Sequence, residues 1–178
     1  MSESAFPRVD PPYAADDATM LRSFVDYYRM TILRQAEGLT DEQRATPLPP
    51  TTMTLGGLVK HLAWAENWWW RQVLLGGPEL EWVGDGFDTD PDWEWNSAKD
   101  DPWDLLVARY QAVIADADEV LDRALATPEG LDLRAVRPRR DGSVATVRWI
   151  LVHLVEEYAR HAGHADLIRE SLDGATDL

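Results

Sequence analysis

The sequence predicts an all-α protein built as a four-helix bundle, and three observations carry that reading. Four stretches repeat their apolar residues at helical spacing, Gly- and Pro-containing segments separate them, and no stretch alternates apolar with polar residues as a half-buried strand would. A chain of 178 residues is long enough for one domain with a real core, and bundles build their sites from side chains on facing helices.

Residues 1–15 carry Pro7, Pro11 and Pro12 without periodicity and are expected to form an extended N-terminal arm, with the bundle domain over residues 16–178. Asp16 or Asp17 can cap a first helix running to about Gly38, with Leu21, Phe24, Val25, Tyr28, Ile32 and Gln35 in register. Pro47, Pro49 and Pro50 mark a loop. A second helix is expected from about Thr54 to Leu75, its stripe made of Leu55, Leu58, Leu62, Ala65, Trp69 and Val73. Trp68, Trp69 and Trp70 cover most of a helix circumference, which assigns Trp69 to the core, Trp68 to a cleft and Trp70 to a loop or partner.

Gly76, Gly77 and Pro78 end this helix and open a long loop, residues 76–101, with nine Asp/Glu against one lysine. Its tryptophans Trp82, Trp93 and Trp95 favour an ordered segment packed over something. Pro102 suits the first position of a third helix capped by Asp101 and ending near Ala126. A second long loop, residues 127–144, holds Arg134, Arg137, Arg139, Arg140 and a turn at Asp141-Gly142. It could bind an anion, although a solvated surface segment is the simpler role. The fourth helix is expected from about Ala145 to Ser171.

The formal net charge is −15, which argues against nucleic-acid partners and against docking on an anionic membrane. The absence of cysteine rules out disulfides, thiolate nucleophiles, zinc fingers and iron–sulfur clusters. With neither a signal-peptide pattern nor an apolar run long enough to span a bilayer, the expected location is cytoplasmic. Nine tryptophans are a large aromatic payload, part of which is expected to line a pocket.

The chemistry concentrates in the last helix. His153, Glu157 and His161 are spaced i, i+4, i+8 and point the same way, and His164 falls on the same side. Ile150, Leu154 and Ile168 lie near that face, whereas Glu156 points to solvent. Burying a carboxylate and imidazoles is costly unless something satisfies them, and a divalent metal would. His61, at the edge of the second helix's stripe, could complete the site. Three protein ligands with an open position is a catalytic rather than a structural pattern. Spacing alone leaves open which of these groups bind. His153 and His164 could instead support a ligand from behind, handle a proton or sit at the mouth of the cleft.

The segment from Thr146 to Glu170 resembles the last helix of the DinB-like superfamily, in particular its mycothiol S-transferase branch. Residues Thr54 to Glu66, around His61, resemble that family's first metal-ligand motif, and Asp90-Pro91-Asp92-Trp93-Glu94 is similar to a loop of the same branch. The resemblance implies a DinB/YfiT-like four-helix bundle, often a homodimer, that binds a divalent metal through a triad drawn from two helices. Many members use three histidines. Here the residue four before His161 is Glu157, similar to the mycothiol-dependent maleylpyruvate isomerase pattern. Carried over by residue, the implied ligands are His61, Glu157 and His161, with zinc expected first and nickel, iron or manganese as alternatives. The implied activity is a metal-dependent S-transferase that conjugates mycothiol, or a similar small thiol, to electrophiles in detoxification. Trp68 and the 76–101 loop are expected to wall the pocket. The alternatives are a metal-dependent isomerase or hydrolase on the same scaffold, or a non-catalytic, metal-stabilised helical binding or stress-response module.

Overall fold

The computed structural model describes residues 4–176. Four long helices carry the core: α1 (Asp17–Ala36), α3 (Leu55–Asn67), α6 (Trp103–Leu125) and α7 (Val147–Asp173). Three one-turn helices, α2 (Asp41–Arg44), α4 (Gly86–Thr89) and α5 (Trp93–Asn96), sit between them. Among the described residues there is no β-strand, only an isolated antiparallel bridge between Arg134 and Thr146.

The helix starts follow local chemistry. Asp16, Thr54 and Thr146 each accept a hydrogen bond from a backbone N–H in the first turn of α1, α3 and α7, satisfying a group the helix cannot pair itself. The α6 start differs from expectation: Pro102 is the capping residue rather than the first helical one, and no side chain caps it. Asp101 instead accepts from Lys60 and Arg109, so its carboxylate ties α6 to α3. At the far end of α7, Gly174 adopts φ +75°, the left-handed turn that terminates helices and suits glycine.

Beyond Asn67 the α3 helix continues as a π-helical segment, Trp68–Leu74. This wider turn changes the three-tryptophan expectation. With i→i+5 pairing each residue advances less around the axis than in an α-helix, so an angular projection carried on from α3 drifts. Trp70 does not face a loop or partner: it is 1% exposed and donates its indole N–H to Glu66 at 3.0 Å. Trp69 is only half-buried.

Packing is dominated by α1 on α7 and α3 on α6, with α3 also against α7 and α1. Leu33, Leu58, Leu62, Ile150, Leu154 and Tyr158 are fully buried at the centre. The described part of the N-terminal arm is not helical, but it folds back on the body. Phe6 is in the core, edge-on to Trp103, and Glu37 receives hydrogen bonds from Ser4 and the Ala5 N–H. Residues 1–3 lie outside the described residues.

The acidic segment 76–101 is not a plain loop, since it contains α4, α5 and a 3-10 turn at Ala98–Asp100. Lys60, 3% exposed, reaches into it, bonding Ser97 at 2.8 Å and Asp101 at 2.5 Å beneath the Trp93 ring. One buried cation, bonded to two oxygens and lying under a ring, thus holds this segment over α3. The fit is close. A Cβ on Gly86 would meet Trp93 at 2.5 Å, and one on Gly57 would meet Trp95 at 3.1 Å. Glycine is what lets the two tryptophans seat there.

Candidate metal centre

Contacts between α3 and α7 show that the two helices run antiparallel: His61 meets Glu157 and His161, whereas Trp69, later on the α3 side, meets the earlier residues His153 and Trp149. At the first of these contacts three side chains converge. His61 Nε2 lies 3.2 Å and His161 Nε2 3.3 Å from the same Glu157 Oε1, and one potential ligand atom from each residue falls within 4.8 Å of the others. Ligands held about 2.0–2.1 Å from a tetrahedral zinc lie roughly 3.3–3.4 Å from each other. The two Glu157 contacts match that spacing, and the three residues are near enough to one another to share a divalent ion.

The surroundings also fit a metal. His61 Nδ1 is 3.3 Å from Glu94 Oε1. Nε2 faces Glu157, and were a metal to replace the proton there, an Nδ1 proton donated to Glu94 would hold the ring as carboxylates orient metal-binding imidazoles. His161 is treated alike by a different partner: its Nδ1 lies 3.3 Å from His164 Nδ1, and a proton there leaves Nε2 facing inward. Trp95 stacks on the His61 ring at 4.3 Å and 22°, fixing its plane. The other oxygen of Glu94, Oε2, is buried without a hydrogen-bond partner, so this acidic pocket is not fully satisfied by the protein's own donors.

The electrostatics follow from this crowding. Hydrogen bonds from His161 and then His61 hold the Glu157 carboxyl well below the usual range, outweighing its burial. For His61, burial disfavours the imidazolium, but bonds to Glu157 and Glu94 outweigh it and raise the pKa. His164 is pushed down by partial burial and by the charges of His161 and Arg160, which favours the neutral ring that can accept from His161. The site therefore offers one carboxylate and two imidazoles as ligands, with Glu94 and His164 behind the imidazoles, a donor set of borderline hardness suited to zinc and its neighbours in the first transition row.

The structure separates the sequence candidates into two groups. His61, Glu157 and His161 meet, with His164 directly behind His161. His153 makes its contacts elsewhere: its ring stacks on Trp149 at 5.0 Å, meets Trp69 at 4.8 Å, and its Nδ1 is 3.4 Å from Glu156. Trp68 lines a cleft of about 680 Å³ together with Trp69 and the 137–141 segment. The 76–101 segment contributes Glu94 and Trp95 to the centre rather than to that cleft. Sequence reasoning gave Glu94 no role. It lies in a segment without helical periodicity, and the only signal was its place in the Asp90-to-Glu94 stretch already noted.

Among curated proteins none matches the chain. A family model described as mycothiol-S-transferase matches residues 20–174, a span that includes every long helix from early in α1 through α7, and the chain belongs to that DinB-like family.

Proposed function

We propose that the protein is a metal-dependent S-transferase that conjugates mycothiol, or a closely similar small thiol, to electrophiles in detoxification. The observation that carries this reading is the meeting of His61, Glu157 and His161, backed by Glu94, in a cysteine-free chain of the mycothiol-S-transferase family. The protein has no thiol of its own, so a thiol reaction must use one from a small molecule. The four long helices then amount to the family's bundle, in a domain over residues 16–178 that works in the cytoplasm without a nucleic-acid or membrane partner. A homodimer is the assembly expected for it.

His61 and His161 supply imidazole Nε2 and Glu157 a carboxylate oxygen as ligands. A divalent ion held there, zinc first, would supply the Lewis acidity that favours a thiol as its thiolate at neutral pH. Glu94 and His164 hold the two imidazoles in their ligating tautomers from behind. Trp95 lies against His61 and His161, shielding that side of the centre from water. On a chloro-nitro-aromatic the sulfur forms a C–S bond as the C–Cl bond breaks, chloride leaves with the bonding pair, and the thiol proton passes to solvent. His153 packs on Trp69 and Trp149, beside the cleft that Trp68 and Trp69 line.

The test is metal content and mycothiol conjugation of a chloro-nitro-aromatic by wild type, His161→Ala, His164→Ala and His153→Ala. His161→Ala should lose metal and conjugation together, because two ligands remain. His164→Ala should keep the metal at about 10–100-fold lower affinity. His153→Ala should keep it unchanged. Conjugation by metal-free His161→Ala protein would remove the metal from the reaction. Activity indifferent to added thiol would favour a metal-dependent hydrolase or isomerase.

A further inference from the structure

The arginine segment is exposed to solvent, but it is held in a defined shape. Leu133–Val147 folds back on itself. Val147 N–H donates to Leu133 O at 3.0 Å, Ala135 N–H donates to Ala145 O at 2.8 Å, and Gly142 turns the tip at φ +81°. The same segment is tied to the end of the π-helical turn. Val136 and Arg137 donate their backbone N–H groups to Leu74 O and Val73 O, both at 3.0 Å, carbonyls that the helix end leaves unpaired. The strap thereby holds Arg137, Arg139 and Arg140 on the rim of the cleft whose other side is Trp68 and Trp69. The Arg137 guanidinium sits 4.6 Å over the Trp68 ring and that of Arg139 5.7 Å over Trp149.

Two features distinguish these arginines. The chain carries a net charge of −15, yet from Leu133 to Arg140 it has four arginines and no acid. No described carboxylate forms an ion pair with Arg137, Arg139 or Arg140. Asp141 is near enough to feel Arg139, but its carboxylate accepts both the backbone N–H and the hydroxyl of Ser143, at 2.9 and 2.7 Å. A planar guanidinium without a carboxylate partner, beside an aromatic wall, matches a planar organic anion. The wall is continuous with the triad. On α3 and its extension, His61, Trp64 and Trp68 follow one another at ring separations of 6.2 and 5.8 Å. On α7, Trp149, His153, Glu157 and His161 are spaced four residues apart on one stripe. From Glu157 to Trp149 the helix axis covers roughly 12 Å, within reach of a long arginine and a ring-sized ligand together.

The geometry points to a substrate-selecting site: the electrophile is an organic anion with a flat, unsaturated body, its carboxylate paired with Arg139 and Arg140 and its ring on Trp68 and Trp69. This inference rests on the S-transferase reading of the triad for what becomes of the ligand, but not for its binding. The test is therefore binding without thiol, in protein treated with a chelator. Tryptophan quenching by 4-chloro-3-nitrobenzoate is compared with that by the uncharged 4-chloro-3-nitrobenzamide, for wild type, an Arg139→Gln/Arg140→Gln variant and Trp68→Leu. The guanidinium groups are exposed and screened, so two acting together should favour the carboxylate about tenfold. The double variant should bring the two ligands within about twofold of each other while leaving amide binding as in wild type, which also shows that it is folded. Trp68→Leu should weaken both ligands alike. No preference for the anion in wild type would overturn the proposal, as would a preference that survives loss of both arginines. A preference seen only with metal present would place the carboxylate on the triad and overturn it too. A failed thiol reaction with this anion preference intact would count against the S-transferase reading alone.

Discussion

Two polar clusters occupy neighbouring turns of the same helix pair, and they are built to opposite ends. Around Glu66 every polar group has a partner. Glu66 is fully buried and accepts from Arg29 Nε and a terminal Arg29 nitrogen, from Trp70 Nε1 and from the Tyr158 hydroxyl, at 2.7, 2.9, 3.0 and 2.9 Å. Arg29 also pairs with Asp26 and Asp118, and Tyr110 donates to Tyr158. This cluster joins α1, α3, α6 and α7. Around Glu157 two of the three groups are partly exposed, three ligand-type atoms crowd one point, and a buried Glu94 oxygen has no partner. Glu157 and Tyr158 are adjacent in sequence, yet one faces the centre and the other the lock. A closed polar cluster reads as architecture, whereas one left short of a cation reads as a site.

The contrast can be broken first at the lock. Glu66→Ala would leave the Arg29 charge buried without its main partner, and such losses destabilise by about 3–5 kcal/mol. Denaturant unfolding of the metal-free protein should show that loss for Glu66→Ala, and a clearly smaller one for Glu157→Ala, which removes a partly exposed acceptor of two imidazoles. Equal losses would erase the distinction.

At the centre, Glu94→Gln removes a carboxylate from behind His61. Zinc affinity should fall about 10–100-fold with little change in unfolding, as measured by competition with a chromophoric chelator. A smaller effect belongs to Tyr158→Phe, which takes one donor from a buried carboxylate that keeps three others. It should destabilise by about 1–2 kcal/mol without altering metal affinity.

The lock should also show itself at alkaline pH. Burial pushes the Tyr110 and Tyr158 phenols well above their ordinary value. A phenol that stays protonated in the fold but ionises near pH 10 when unfolded gives stability that is full below about pH 10 and lost above it. The phenolate absorbance of these two tyrosines should therefore appear only together with loss of helical circular dichroism. Their ionisation in folded protein would contradict the closed cluster.

Much of this was legible in the sequence, for a physical reason. The long helices and the stripe shared by Glu157 and His161 follow from one constant advance per residue, and that constant holds throughout α7. It fails after Asn67, where the π-helical turn begins, which is why a constant advance points Trp70 outward although it is a core donor to Glu66. Glu94 and the strap arginines were hidden differently. Their positions depend on long-range ties, Lys60 to Ser97 and Asp101 in one case and backbone bonds to Val73 and Leu74 in the other, and neither tie leaves a period in the sequence. His153 shows the limit of a shared face. It lies on the stripe of Glu157 and His161, yet two turns of separation from His161 carry it into the aromatic wall.

That the Glu157 cluster is a metal centre and the Glu66 cluster is not can be read from calorimetric zinc titration of chelator-treated wild type, Glu157→Ala and Tyr158→Phe. We predict one ion per chain for wild type and for Tyr158→Phe, and affinity lower by at least about hundredfold in Glu157→Ala, which loses one of three ligands. Zinc binding that is unchanged in Glu157→Ala, or absent from the folded wild type, would contradict it.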